Sequence, residues 1–502
     1  MTNQASTNGL SSRKPHFILV PLIAQGHMIP MVDLARLLAE QGARVSLITT
    51  PVNAARIKAI VDRVKESGLP IHFVELQFPC AEAGLPDGCE NVDLLPSNDY
   101  FRTIFDAIPR LREPLARYLR AQRPRPTCMI ADMCNPWTAD VARELGMPRL
   151  IFHGPSCFFI LGVHLMEQHG IYDRITDDFE PVLLPELPQP VEVTKAQLPG
   201  FFWSKGWEKL RSEALEAEST ADGVVMNTFD DMEHSYIELY KKVAGKEVWT
   251  IGPLCLYNKD LDNKAARGNK PVIDHHRVLC WLDSRKPKSV LYASFGSLLR
   301  MRPWELIEVG YGLEASNQPF IWVIKDVERT SEVDKWLSEG FEERVSTRGL
   351  VIKGWAPQVV ILSHPAIGGF MTHCGWNSVM EAVSAGVPMI TWPCFSDQFV
   401  NEKLVVDVLG VGVAIGVKVP FYYINEDSPS AAKRNDIGKA VSRLMDEGEE
   451  GEERRKRARK LAEKAVSAME GGGSSLENIA CLIQYALKHG HDDSDQEEEH
   501  SA

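Results

Sequence analysis

The sequence lacks most of the short signatures that assign a function quickly. Its ten cysteines include no CxxC pair, which argues against a zinc site or a disulfide scaffold and fits packing thiols in a reducing compartment. No apolar stretch approaches a transmembrane span, and the opening "MTNQASTNGLSSRKP" has no apolar core of the kind a signal peptide carries. Positive charge is not in excess: 55 Lys and Arg stand against 68 Asp and Glu, and the net charge of −13 argues against a nucleic-acid partner. There is no GxSxG nucleophile elbow, since "GPSCF" fails at its last position. "GVGVAIG" imitates a dinucleotide fingerprint with the wrong third spacing and reads better as a strand. These absences leave a cytoplasmic, monomeric protein without stable membrane insertion as the expectation.

What is present is an ordinary globular composition, 44% apolar and 25% charged, over 502 residues, enough for two or three domains. Six acidic residues in "HDDSDQEEEHS" mark residues 490–502 as a solubilising, disordered tail. The basic run "RRKRARK" follows "DEGEEGEE", so it reads as a helix face with compensating charges.

Hydrophobic rhythm gives the organisation. "HFILVPL" is a strand, "MIPMVDLARLLAEQG" a helix stopped by Gly42, and "RVSLITT" a second strand, together a βαβ unit. "IHFVELQFP", "CMIADM", "PRLIFHG" and "GVVMNTF" continue as buried strands, so residues 1–253 read as one doubly wound α/β domain. Residues 254–276 are polar and without period, a linker. The strand pattern restarts with "SVLYASFGS" and runs through "PFIWVIK", "GLVIKGW", "IGGFMTH", "PMITWP" and "GVAIGV", a second Rossmann-like domain over 277–475. Residues 476–489 close the ordered chain as an amphipathic helix.

Two strand-to-helix corners carry candidate chemistry. In "FMTHCGWNSVMEAVSAG" a strand gives way to a helix with Asn377 or Ser378 as N-cap and Gly386 as its stop. The free N–H groups there suit an anion such as a phosphate. In "VPLIAQGHMIPM" His27 sits at the C-terminal end of the first strand, where open α/β sheets bind ligands. The positive helix end beside it predicts a neutral ring able to accept a proton. Asp132 ends the apolar run "TCMIADM" on the same sheet edge and would orient that ring as a carboxylate partner. Plainer readings stand beside these: a capping or surface His27, and an Asp132 that caps the turn at "NPWTAD". A metal at His364, His373 and Cys374 is disfavoured because adjacent strand residues face opposite ways.

Residues 355–398, "WAPQVVILSHPAIGGFMTHCGWNSVMEAVSAGVPMITWPCFSDQ", form an ungapped 44-residue run that resembles the signature box of plant family 1 UDP-glycosyltransferases, the inverting secondary-product enzymes. "GHMIPMVDLARLLA", "IADM", "SFGS" and the final helix extend the resemblance over nearly the whole chain. It implies a GT-B fold, two Rossmann-like domains facing across a cleft, with the last helix returning to the first domain. It implies that Trp355 stacks on uracil and the Ala356 backbone reads the base edge. Gln358 and Glu381 then contact the ribose. His373, Asn377 and Ser378, with backbone N–H groups beyond Gly375 and the hydroxyl of Ser297, hold the diphosphate. Asp397 and Gln398 hold the sugar, with Trp376 nearby, and Gln398 points to glucose. His27 is the implied general base and Asp132 its partner, with no metal and no cofactor beyond the UDP-glucose donor.

For the acceptor, Phe78, Phe201, Phe202 and Trp203 offer an apolar floor for a small lipophilic metabolite: a flavonoid, another phenolic, a triterpenoid or a steroid-like compound. The same aromatics also read as ordinary core or surface residues. Two other functions compete: a nucleotide-sugar-binding protein of the same fold without transfer activity, and a nicotinamide-dependent dehydrogenase, which the missing GxGxxG disfavours.

Overall fold

The computed structural model describes residues 14–198, 206–428 and 431–490. Fifteen strands are described: β1 (His16–Val20), β2 (Arg44–Thr49), β3 (Ile71–Glu75), β4 (Cys128–Asp132), β5 (Arg149–His153), β6 (Pro181–Leu183), β7 (Glu192–Thr194), β8 (Gly223–Met226), β9 (Glu247–Thr250), β10 (Val290–Ser294), β11 (Phe320–Ile324), β12 (Gly349–Lys353), β13 (Ile367–Thr372), β14 (Met389–Thr391) and β15 (Gly412–Ala414). They form a seven-stranded sheet in the order β3-β2-β1-β4-β5-β8-β9 and a six-stranded sheet in the order β12-β11-β10-β13-β14-β15. Every pairing within these two sheets is parallel. The central strands are buried along their whole length, as the continuous apolar runs demand when helices cover both faces.

The two sheets share one plan. In each, strand order reverses beside the first strand, between β1 and β4 and between β10 and β13. At such a reversal the helices leave on opposite faces and a crevice opens beyond the strand ends. Both corners singled out in the sequence sit there. A small antiparallel pair, β6 with β7, is too short to show in the sequence pattern.

The closing helix, Ser474–His489, lies on the first sheet. Ser475 Oγ donates to the Gly252 carbonyl, Asn478 Nδ2 donates to the Thr250 carbonyl at 2.9 Å, and Ile479, Leu482 and Ala486 pack with Phe17, Val225 and Trp249. The basic run lies in the helix Glu449–Ala468 with acidic partners for Arg455, Arg457 and Arg459, although Arg454 is buried. Eight of the ten cysteines are buried and none is bridged, consistent with packing thiols.

Candidate active site

The first corner is built by β1, β4 and the helix Gln25–Glu40, of which His27 is the third residue. Val20 pairs with Ala131, so the ends of β1 and β4 lie side by side and bring His27 to Asp132. His27 Nδ1 stands 2.7 Å from Asp132 Oδ2, and the other carboxylate oxygen accepts the Cys134 N–H at 2.9 Å. A buried charge at a strand end thus has the partners it needs. With Nδ1 engaged, Nε2 is the nitrogen able to take a proton. The electrostatic expectation is corrected here. Burial does push the His27 pKa down, but the charge and hydrogen bond of Asp132, with Asp397 farther off, outweigh it and raise the pKa above 6.5. The carboxylate, not the helix end, sets the ring.

The second corner joins the turn after β10 to the turn after β13. Cys374 adopts a left-handed φ of 65°, and the helix starts at Trp376 with Gly375 as N-cap, so neither Asn377 nor Ser378 caps it. Both are already inside the first turn because the sharp bend at Cys374 uses up the strand-to-helix transition early. No side chain caps the helix, so its first N–H groups are left without a side-chain acceptor. The His373 ring is clamped over Gly296 and Gly375. Gly296 has φ +72°, and a Cβ there would lie 2.4 Å from His373 Nε2. Burial, aided by the Lys325 charge, drives the His373 pKa down to about 3. Lys325 Nζ also donates to the Gly296 carbonyl at 3.1 Å and so braces the "SFGS" turn carrying Ser297. His373 Nδ1 has no protein partner, and neither do Asn377 Oδ1 and Trp355 Nε1. Three unpartnered buried polar atoms in one 44-residue run mark a place where a polar ligand belongs.

Away from the corner, the Gln358 amide donates to Glu381 Oε2 at 2.7 Å and to Ser378 Oγ at 3.1 Å, and the Tyr292 hydroxyl donates to its carbonyl. Gln358 therefore fixes Glu381 in place. Ala356 is buried beside Trp355. The segment read as a linker enters the site. Arg267 donates from Nε to Asp33 Oδ2 at 2.7 Å and from Nη1 to Glu381, bridging a carboxylate of each domain. Its pKa is raised, because those two charges outweigh the burial that opposes it. At Gly268 a Cβ would lie 2.5 Å from the Trp355 ring. Neither residue was foreseen; a polar, aperiodic stretch gives no sign of which arginine is buried.

At the other end, Asp397 and Gln398 open the helix Gln398–Lys403. Burial raises the Asp397 pKa to about 6, against the favourable bond from Asn401 and the charge of His27. Gln398 Oε1 accepts the Cys394 and Phe395 N–H groups at 2.9 and 3.1 Å, which turns its amide nitrogen away from them. The Trp376 indole N–H donates to the Asn227 carbonyl at 2.8 Å and the ring is buried between the domains. Asn377 Nδ2 donates to the Gly26 carbonyl at 2.6 Å, which joins the second corner to the residue preceding His27. Phe78 is packed with Leu85 and Cys89 and is core rather than an open floor. Phe201, Phe202 and Trp203 lie outside the described residues.

His364 pairs with Asp283 and does not gather with His373 and Cys374. His27, Asp132 and Cys134 bring their ligand atoms within 4.8 Å of one another. Burial, with Asp132 beside it, holds the Cys134 thiol well above its usual pKa, the wrong state for a thiolate ligand.

The first domain, over residues 16–256, matches the family model "Glycosyltransferase, N-terminal domain", and residues 199–420 match "UDP-glucoronosyl and UDP-glucosyl transferase". UDP-glycosyltransferase 73E1 of Stevia rebaudiana is 49% identical over 93% of this chain and 96% of its own. The chain belongs to the UDP-glycosyltransferase family. UDP-glycosyltransferase 73C6 of Arabidopsis thaliana is 46% identical over the same shares. Among solved structures, Glycyrrhiza uralensis UGT73P12 complexed with glycyrrhetinic acid 3-O-monoglucuronide superposes with a TM-score of 0.87 at 38% identity, covering 95% of this chain and 96% of that one. Arabidopsis thaliana UGT89C1, solved with UDP-L-rhamnose and with quercetin, gives TM-scores of 0.74 and 0.72 at 29% identity, covering 95% of this chain and 100% of its own. This glycosyltransferase therefore has the GT-B fold that the resemblance implied. No helix among its described residues is long and apolar enough to cross a membrane.

Proposed function

We propose that this glycosyltransferase is an inverting, UDP-glucose-dependent O-glucosyltransferase that makes β-glucosides of small lipophilic plant metabolites in the cytoplasm, acting as a monomer. The reading assigns the acceptor to residues 1–253 and the nucleotide sugar to residues 277–475. The observation that carries it is the pairing of a proton acceptor, His27 on Asp132 at 2.7 Å, with a corner of free N–H groups and a neutral imidazole. Asn377 holds the two together through Gly26.

In the proposed reaction the acceptor hydroxyl attacks C1 of an α-linked glucose from the face opposite UDP, and His27 Nε2 takes its proton. The C1–oxygen bond to the diphosphate breaks, and UDP leaves with the electron pair. Asp132 stabilises the imidazolium that forms. The growing charge on the diphosphate is met by the helix N–H groups and by the His373 ring, which can donate while uncharged. That donor set fits a diphosphate without a metal. Trp355 would stack on uracil, with Ala356, Gln358 and Glu381 along the nucleoside and Ser297 and Ser378 beside the phosphates. Asp397 and the Gln398 amide nitrogen would take the sugar hydroxyls, and Gln398 favours glucose.

The test is turnover with UDP-glucose and a panel of flavonoid, triterpenoid and steroid-like acceptors, with and without a chelator. One UDP per β-linked glucoside, undiminished by chelation, is expected. UDP release that needs no acceptor would sink the transferase reading.

A further inference from the structure

Asn401 lies in the helix Gln398–Lys403 of the second domain and is fully buried, as is Ser156, the N-cap of the helix Cys157–Gln168 in the first domain. These residues are 245 positions apart in the chain, yet Ser156 Oγ donates to Asn401 Oδ1 at 2.8 Å. Asn401 Nδ2 donates to Asp397 Oδ2 at 2.7 Å and to the Cys374 carbonyl at 2.9 Å. Both N–H donors of the amide are in use, and its oxygen accepts the serine proton. Its orientation is fixed by the partners: a flipped amide would set its oxygen against a carbonyl and a carboxylate. The serine is directed as well, since its oxygen accepts the Phe159 N–H at 3.1 Å and its proton remains for Asn401.

We propose that Ser156 and Asn401 form a relay between the domains that positions Asp397 for the donor sugar, with Asn401 as the positioning residue and Ser156 as its anchor on the acceptor side. The inference rests on the reading of Asp397 as a sugar contact. One amide ties three things together: the turn at Cys374 beside His373, the carboxylate at Asp397, and the first domain. The carboxylate is therefore correctly aimed only while the two domains are docked at Ser156. Apposition of the acceptor half is registered at the sugar end of the donor site without either residue touching a substrate. Ser396, in a left-handed conformation with φ 57°, turns the chain into Asp397, whose carboxylate is held by Asn401 together with its own backbone N–H.

The experiment compares Ser156→Ala, Ser156→Thr, Asn401→Ala and Asn401→Asp in the full chain. The readouts are KM for UDP-glucose, kcat, the dissociation constants of UDP and UDP-glucose by calorimetry, and the thermal midpoint. Ser156→Ala is expected to raise KM for UDP-glucose roughly tenfold, the scale of one buried neutral hydrogen bond, Asn401→Asp to raise it more, and Ser156→Thr to restore it. UDP, which lacks the transferred glucose, should bind all variants as it binds the parent. The carboxylate faces His27 from the first domain and Asn401 from its own helix, and the Asn401 bond favours its ionised form. In Asn401→Ala the rise in KM on acidification should therefore begin at a higher pH than in the parent, a shift that a purely structural defect would not produce. Equal weakening of UDP and UDP-glucose, an unchanged Ser156→Ala, or unfolding of Ser156→Ala would each overturn the relay. Should the parent fail to turn over UDP-glucose with any acceptor, the proposed function fails by itself, and binding of UDP against UDP-glucose still decides the relay.

Discussion

Two histidines stand at the strand-order reversals of two similar sheets, His27 past β1 and His373 past β13, and the protein gives them opposite characters. His27 meets the buried carboxylate of Asp132 and has its pKa raised. His373 meets burial and the Lys325 charge, and its pKa falls to about 3. Burial alone disfavours charge at both. The difference comes chiefly from the sign of the neighbouring charge, and it divides the labour: the first ring can accept and keep a proton, while the second stays neutral and can only share one. A repeated architecture has been specialised by electrostatics rather than by geometry.

The comparison breaks most completely at the first ring. His27→Ala should lower kcat/KM by about 10²–10⁴-fold, the usual contribution of general base catalysis, while calorimetry finds UDP affinity retained. His373→Ala should lower kcat by about 10²–10³-fold, as when one donor to a developing anion is lost. Gly296→Ala should imitate it in part, because its Cβ would lie 2.4 Å from His373 Nε2 at a backbone φ of +72°; stopped assays with saturating acceptor measure both. A smaller change sharpens the contrast. In the parent, kcat/KM should rise with pH through a value above 6.5, because the protonated His27 ring cannot take another proton. In Asp132→Asn the main raising influence is gone and burial remains, so the residual activity should have its acid limb displaced to lower pH. The smallest effect belongs to Lys325→Met. Burial is the larger cause at His373, so its imidazole NMR signals should still show a neutral ring at pH 7.

Legibility in the sequence followed range of interaction. The strands and the helix from Met28 onward announced themselves by local period, although that helix begins at Gln25 and takes in His27, and the parallel order then placed His27 and Asp132 on one edge. The direction of the His27 shift was misjudged because a helix end was weighed while the distance to a carboxylate 105 positions away was unknown. The bond from the Trp376 indole N–H to the Asn227 carbonyl across the domain boundary had no trace in the local pattern either. Arg267 lay hidden in a polar stretch that resembles any surface loop, since burial of one guanidinium between Asp33 and Glu381 leaves no periodic trace. What the sequence concealed is mostly what joins one domain to the other.

The helix Ser474–His489 has a consequence for how the chain is made. Synthesis delivers the first sheet early, yet Phe17, Val225 and Trp249 receive Ile479, Leu482 and Ala486 only when the last residues emerge. Until then a nascent first half carries an uncovered apolar face, the kind of surface on which partly made proteins aggregate. The part begun first is thus completed last, and a ribosome that stops before residue 474 releases a product with a flaw at its opposite end.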